Sequence, residues 1–132
     1  MAISEHEALG HLRAICLALP AAVEKETWET QTFRVRDKIF AMRGGHEGRI
    51  ALWCKAPAGA QEVLVGSAPE TFFVPPYVGH KGWIGVRLDL DDTDWDEIKG
   101  LVTESYLMTT PKKLATLVEQ DEPVADGEPI ST

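Results

Sequence analysis

The stretch Gln31-Thr32-Phe33-Arg34-Val35-Arg36-Asp37-Lys38-Ile39-Phe40-Ala41-Met42-Arg43, followed after Gly44-Gly45-His46-Glu47-Gly48 by Arg49-Ile50-Ala51-Leu52-Trp53-Cys54-Lys55, decides the fold of this chain. It divides into three short runs, 31–36, 38–43 and 49–55, rich in β-branched and aromatic side chains. Arg36-Asp37 and the glycine-bearing segment 44–48 separate them as turns. Connections this short join antiparallel neighbours, because a parallel crossover needs a dozen or more residues. In the third run Ile50, Leu52 and Cys54 share one face and Ala51 and Trp53 the other, so this strand is expected to be covered on much of both sides.

Upstream, Ser4 with Glu7 three residues on fits a capping box, and Leu9, Leu12, Ile15, Cys16 and Leu19 repeat at helical spacing until Pro20 stops the helix. Downstream, 58–65 reads as a short helix closed by Gly66, and Phe72-Phe73-Val74 as a strand stopped by Pro75-Pro76. The run 83–89 alternates, with Ile84, Val86 and Leu88 on one face and Trp83, Gly85 and Arg87 on the other. Asp92, Thr93 or Asp94 caps the next helix, where Trp95, Ile98, Leu101, Val102 and Tyr106 keep helical spacing. Thr110-Pro111 starts a last helix with Leu114, Leu117 and Val118 on its inner side. This order predicts an α+β fold, an antiparallel sheet with helices packed mainly on one face.

A chain of 132 residues, 44% of them hydrophobic, buries one core, and a single domain is expected over 1–118. Residues 119–132 carry Glu119, Asp121, Glu122, Asp126 and Glu128 with two prolines, the composition of a flexible acidic tail. No apolar run approaches the roughly 20 residues that cross a bilayer, and the N-terminus lacks the pattern of a secretion signal, so a cytoplasmic location with no membrane partner is expected. Cys16 and Cys54 each sit in an apolar run and read as reduced core residues.

The net charge of −8, from 13 Lys and Arg against 21 Asp and Glu, argues against a surface that as a whole attracts polyanions. The distribution is uneven. Arg34, Arg36, Lys38, Arg43, Arg49 and Lys55 stand against only Asp37 and Glu47 in the middle of the chain. The acids Asp89, Asp91, Asp92, Asp94, Asp96 and Glu97 fail the calcium-loop pattern, which needs glycine at Asp94 and glutamate at Gly100, and are read as a strand exit and helix cap. His6, His11, His46 and His80 show no zinc-helix spacing. Neither Ser67 nor Ser105 lies in a nucleophile elbow, Cys54 has no activating signature, and no phosphate-cradling glycine motif is present. No catalytic residue, cofactor or metal is therefore expected. Two binding surfaces remain: the basic hairpins, whose cations would meet DNA phosphates, and the loop with Tyr77, His80, Lys81 and Trp83, which would line a pocket for a small ligand or a protein.

Four ordered blocks carry a family resemblance: Thr32 through Ala41, Leu52-Trp53-Cys54-Lys55-Ala56-Pro57, Pro75-Pro76-Tyr77-Val78-Gly79-His80-Lys81-Gly82-Trp83, and Ser105-Tyr106-Leu107 followed by Pro111-Lys112-Lys113-Leu114. Together they resemble the MmcQ/YjbR family from the first helix to about Leu117. The resemblance implies a two-layer sandwich of the frataxin/CyaY-like type, and DNA binding through a double-wing arrangement. It matches the family pattern at Phe33-Arg34-Val35 to Lys38, at Lys55, at Gly82-Trp83 and at Ser105-Tyr106. The expectation is thus a non-enzymatic DNA-binding protein using Arg34, Arg36, Lys38, Arg43, Arg49 and Lys55. The alternative is a small-ligand or protein-binding module at the 77–83 loop.

Overall fold

Ser4 begins the first helix, α1 (Glu5–Leu17), with a complete capping box: its hydroxyl accepts from the Glu7 amide at 3.1 Å while the Glu7 carboxylate accepts from the Ser4 amide at 3.2 Å. A computed structural model describes residues 3–110, and the expected last helix and acidic tail lie outside them. After α1 come β1 (Val23–Thr27), β2 (Thr30–Val35), β3 (Lys38–His46), β4 (Arg49–Cys54), α2 (Ala60–Ser67), β5 (Phe72–Phe73), a 3-10 turn (Gly79–Lys81), β6 (Ile84–Arg87) and α3 (Trp95–Thr109). Asp94 caps α3, accepting from the amides of Asp96 and Glu97. Among the described residues no helix is long and apolar enough to cross a membrane.

The strands form one antiparallel sheet in the order β1-β2-β3-β4-β6-β5. This is the expected α+β arrangement with an added edge strand. β1, Val23-Glu24-Lys25-Glu26-Thr27, lacks the alternation of a half-buried strand because it borders solvent, and its charges suit an edge that must not pair with another chain. The turn expected over 44–48 is also shorter, since pairing continues to His46↔Arg49 and leaves only Glu47-Gly48 to reverse the chain.

Register sorts the side chains into two layers. Phe33, Ala41, Cys54 and Ile84 are cross-strand partners on one face, and all four are fully buried. Between β2 and β3 the register slips at Phe33/Arg34, so that Phe40 is the extra residue of a bulge and joins Ala41 in the core. α1 and α3 pack on this face, adding Ala8, Leu12, Cys16, Ile98, Val102 and Tyr106 to the core. The buried polar atoms of α3 are matched: Ser105 Oγ donates to the Phe40 carbonyl at 2.5 Å and accepts the Lys55 amide at 2.8 Å, while the Tyr106 hydroxyl donates to the Pro20 carbonyl at 2.6 Å.

The opposite face bears the row Thr32, Met42, Trp53, Gly85 and Phe73, joined by the same register, and no helix of the described residues takes the place of α1 and α3 there. Here the sheet is sealed by its own aromatics. A methyl added at Gly44 would overlap the Trp53 indole, and one at Gly85 would overlap the Phe73 ring, so each ring lies flat where a side chain is missing.

Two predictions test these layers. Gly85→Ala should lower unfolding free energy by about 1–3 kcal/mol through overpacking. Gly10→Ala, on the exposed side of α1 with nothing near its added carbon, should raise it by roughly 0.5–1 kcal/mol; urea titrations read both. Burial pushes the Cys16 thiol up, with Cys54 and Glu24 adding to it, and lifts Cys54 to about 12, with Glu104 adding to it. The folded chain therefore holds these protons above the ordinary thiol value of 9.0, so their stabilisation is complete below that value and is lost as pH rises from it toward 12. Stability measured from pH 7 to 11 should fall in that upper window, less steeply in Cys54→Ala.

Candidate ligand-binding groove

The helix-free face does not stay flat. Trp28 and Thr30 at the β1–β2 turn, Met42, Gly44 and Gly45 of β3, and Trp53 of β4 line a groove with Tyr77 and Val78 from the loop after β5. Its volume is about 540 Å³, and it remains open to solvent. That size admits a ligand of several rings, and the lining is almost wholly apolar. The Thr30 hydroxyl is spent on the Arg43 carbonyl at 2.5 Å, and the Arg43 side chain leaves on the other face to pair with Glu5 of α1.

Two of the lining aromatics are held in unusual ways. Trp28 is 75% exposed and Tyr77 86%, and both have left-handed backbones, with φ of 53° and 67°. For side chains this large that conformation costs about 1–2 kcal/mol each. The turn Trp28-Glu29 places two non-glycine residues where a two-residue hairpin normally takes Asn-Gly. Arg36-Asp37 carries the same left-handed pair at the β2–β3 turn, so two-residue hairpin geometry imposes the conformation at Trp28, whereas Tyr77 adopts it in a loop. Beneath the groove the Trp53 indole nitrogen is buried over Gly44 with no hydrogen-bond partner. Farther along the face the His46 and Phe73 rings stack with centroids 3.9 Å apart. Among the described residues no group of His, Cys, Asp and Glu is arranged to hold a metal ion.

A family model described as YjbR matches residues 17–108. The chain belongs to the YjbR family. Consistent with this, the crystal structure of Deinococcus radiodurans protein DR2400, with a DUF419 domain, is similar at a TM-score of 0.67 and 24% identity over 76% of each chain, a likeness of fold. No curated protein matches the sequence.

In this YjbR chain the six basic residues of the hairpins do not form one surface. Antiparallel order sends Lys38 and the β2–β3 turn to one end of the sheet and the β3–β4 turn with Arg49 to the other. Arg34 lies half-buried, donating to the hydroxyls of Thr27 at 2.9 Å and Thr32 at 3.2 Å and reaching Asp37 at 3.5 Å. Arg43 pairs with Glu5, and Arg49 with Asp89 at 2.8 Å. Arg36, Lys38 and Lys55 keep no carboxylate partner among the described residues. Register brings the start of β3 with Lys38, the end of β4 before Lys55 and the start of β6 after Lys81 to one end of the sheet, and the Lys55 ammonium is held below its usual value by burial first and then by Lys38 and Lys81.

The loop residues divide as well. Tyr77 reaches the groove, His80 and Lys81 are exposed on the 3-10 turn, and Trp83 is 7% exposed and does not line this groove. Gln61 of α2 fixes that turn by donating to the Gly79 carbonyl at 2.9 Å and the Trp83 carbonyl at 2.6 Å. The groove residues Trp28, Thr30, Met42 and Trp53 were not singled out by sequence. The signal was present in Gly44, which register places beside the Trp53 strand.

Of the four tryptophans, Trp28 should dominate accessible emission. Trp28→Phe is expected to shift the emission maximum to shorter wavelength and to remove most acrylamide quenching without changing the melting temperature; unchanged quenching would place the ring elsewhere.

Proposed function

We propose that this YjbR chain is a non-enzymatic binding module that holds a flat, largely apolar ligand in the groove between Trp28, Trp53 and Tyr77. The observation that carries the reading is the pair of large aromatic side chains kept exposed at the rim of an apolar hollow. Exposed aromatic surface bordering a concave apolar site is what ligand recognition uses, because rings offer wide contact with few rotatable bonds to freeze. The test is a thermal-shift and tryptophan-fluorescence screen of neutral aromatic compounds. Compounds that bind should raise the melting temperature by mass action, and Trp28→Ala and Tyr77→Ala should each weaken them by about tenfold or more while leaving the free protein's melting temperature in place. Ligands that bind both variants as well as the parent, or a screen with no binders, would remove this reading.

A second reading, DNA binding of the kind the family resemblance implies, has its own support in the unpaired cations Arg36, Lys38 and Lys55 at one end of the sheet. It predicts duplex affinity that falls steeply between about 50 and 200 mM salt. Charge reversal at Arg36 and Lys38 should abolish that affinity, and reversal at Arg49, engaged by Asp89, should leave most of it. Fluorescence anisotropy of a labelled duplex reads both. Binding indifferent to Arg36 and Lys38 would exclude these residues as phosphate contacts.

A further inference from the structure

A second hollow, of about 510 Å³, lies on the side of the sheet that carries the helices and shares no lining residue with the groove. It opens between the end of β4, the start of α2 and the middle of α3. Ala56, Ala58 and Gly59, on the link from β4 to α2, leave the room for it, while Val63 and Leu64 of α2 and Leu101 of α3 give it apolar walls. Two charged residues, Lys55 and Glu104, share the lining. The base of Lys55 is fixed: its amide donates to Ser105 Oγ at 2.8 Å, and that hydroxyl donates to the Phe40 carbonyl, so this end of β4 is tied to both α3 and β3.

We propose that this hollow is a binding site for a small apolar carboxylic acid, with the carboxylate on the Lys55 ammonium and the hydrocarbon against Leu64 and Leu101. The site stands apart from the aromatic groove and does not depend on it.

The lining asks for both halves of such a ligand. Among the described residues the Lys55 ammonium has no ion-pair or hydrogen-bond partner, and Glu104, in the same lining, stays beyond ion-pair distance. Burial disfavours the charged form of Lys55, with Lys38 and Lys81 adding to it, and an anion alongside would offset all three. The start of α2 lines the same hollow at Gly59, which brings no side chain to cap the helix, so the open amides of the first turn add positive potential there. A bare inorganic anion would gain nothing from Val63, Leu64 and Leu101, and a plain hydrocarbon would shut the ammonium away from water without a partner. An apolar acid matches both, at a volume within the roughly 300–1,000 Å³ that small-ligand sites span.

An acid of this kind comes with or without an α-ammonium group, and Glu104 separates the two, since it would attract the ammonium of an apolar amino acid and repel a plain acid. Isocaproate, its neutral amide and leucine, which is isocaproate bearing an α-ammonium group, are titrated against the labelled full chain and followed by nitrogen–proton correlation spectra. Lys55→Met, which keeps the apolar stem and removes the charge, and Glu104→Gln are the variants, with circular dichroism to confirm folding. The expected result is that isocaproate moves the amides of Lys55, Ala56, Gly59, Ala60 and Leu64 and binds at least about tenfold tighter than its amide. That advantage should be lost in Lys55→Met and should shrink as salt is raised. Leucine tighter than isocaproate, with the gain lost in Glu104→Gln, would make the ligand an apolar amino acid; isocaproate tighter than leucine, and tighter still in Glu104→Gln, would make it a plain acid. Acid and amide of equal affinity for the parent chain overturn the proposal, whatever the variants do. So do isocaproate binding indifferent to Lys55→Met, shifts confined to other parts of the chain, and no binding of any of the three compounds.

Discussion

The rest of the structure depends on one packing constraint: a sheet whose helices all lie on one side must still close its other face. Here Trp53 lies flat over Gly44 and Phe73 over Gly85, so two rings take the room that two missing side chains leave. This arrangement covers the centre of the sheet at the thickness of one ring and leaves a step down toward Met42 and the β1–β2 turn. The groove is that step, walled by Trp28 on one side and by Tyr77 and Val78 on the other. A substituent at Gly44 would lift the Trp53 ring and change the groove's depth.

Charge is handled in a complementary way. Arg34, Arg43 and Arg49 are each committed to a carboxylate, two of them tying separate elements together: Arg43 to α1 through Glu5, and Arg49 to the segment after β6 through Asp89. Exposed pairs of this kind add little stability on their own, and their effect is to take cations out of circulation. Arg36, Lys38, Lys55 and Lys81 are the basic groups of the hairpins and the neighbouring turn that remain available, and they stand at one end of the molecule. A chain with a net charge of −8 thus retains a cationic end of the sheet, while the apolar groove runs from Met42 and Trp53 toward the opposite end, at the β1–β2 and β3–β4 turns.

Much of this fold was legible because local signals agree with the long-range pairing. The Ser4–Glu7 box, the alternation at 84–88 and the helical spacing from Trp95 to Tyr106 read the same way in sequence and structure. β1 was not legible, since an edge strand facing water needs no apolar alternation and Val23-Glu24-Lys25-Glu26-Thr27 has none. The site was legible only in part. Tyr77 stood out by its loop, yet Trp53 read as an ordinary strand residue, because its role follows from the glycine that β3 places beneath it. Likewise the six cations looked like one basic block in sequence, whereas two successive reversals of direction send them to opposite ends, and the carboxylates that engage Arg43 and Arg49 come from residues distant along the chain, Glu5 and Asp89.

The central claim is that the helix-free face is where a ligand binds. The most direct measurement is a nitrogen–proton correlation spectrum of the labelled protein titrated with neutral aromatic compounds of the kind the groove admits, following the four indole resonances together with the backbone amides. The expected shifts are concentrated at Trp28, Thr30, Met42, Gly44, Gly45, Trp53, Tyr77 and Val78. Shifts confined to α1 and α3, or a spectrum unchanged at saturating ligand, would contradict it.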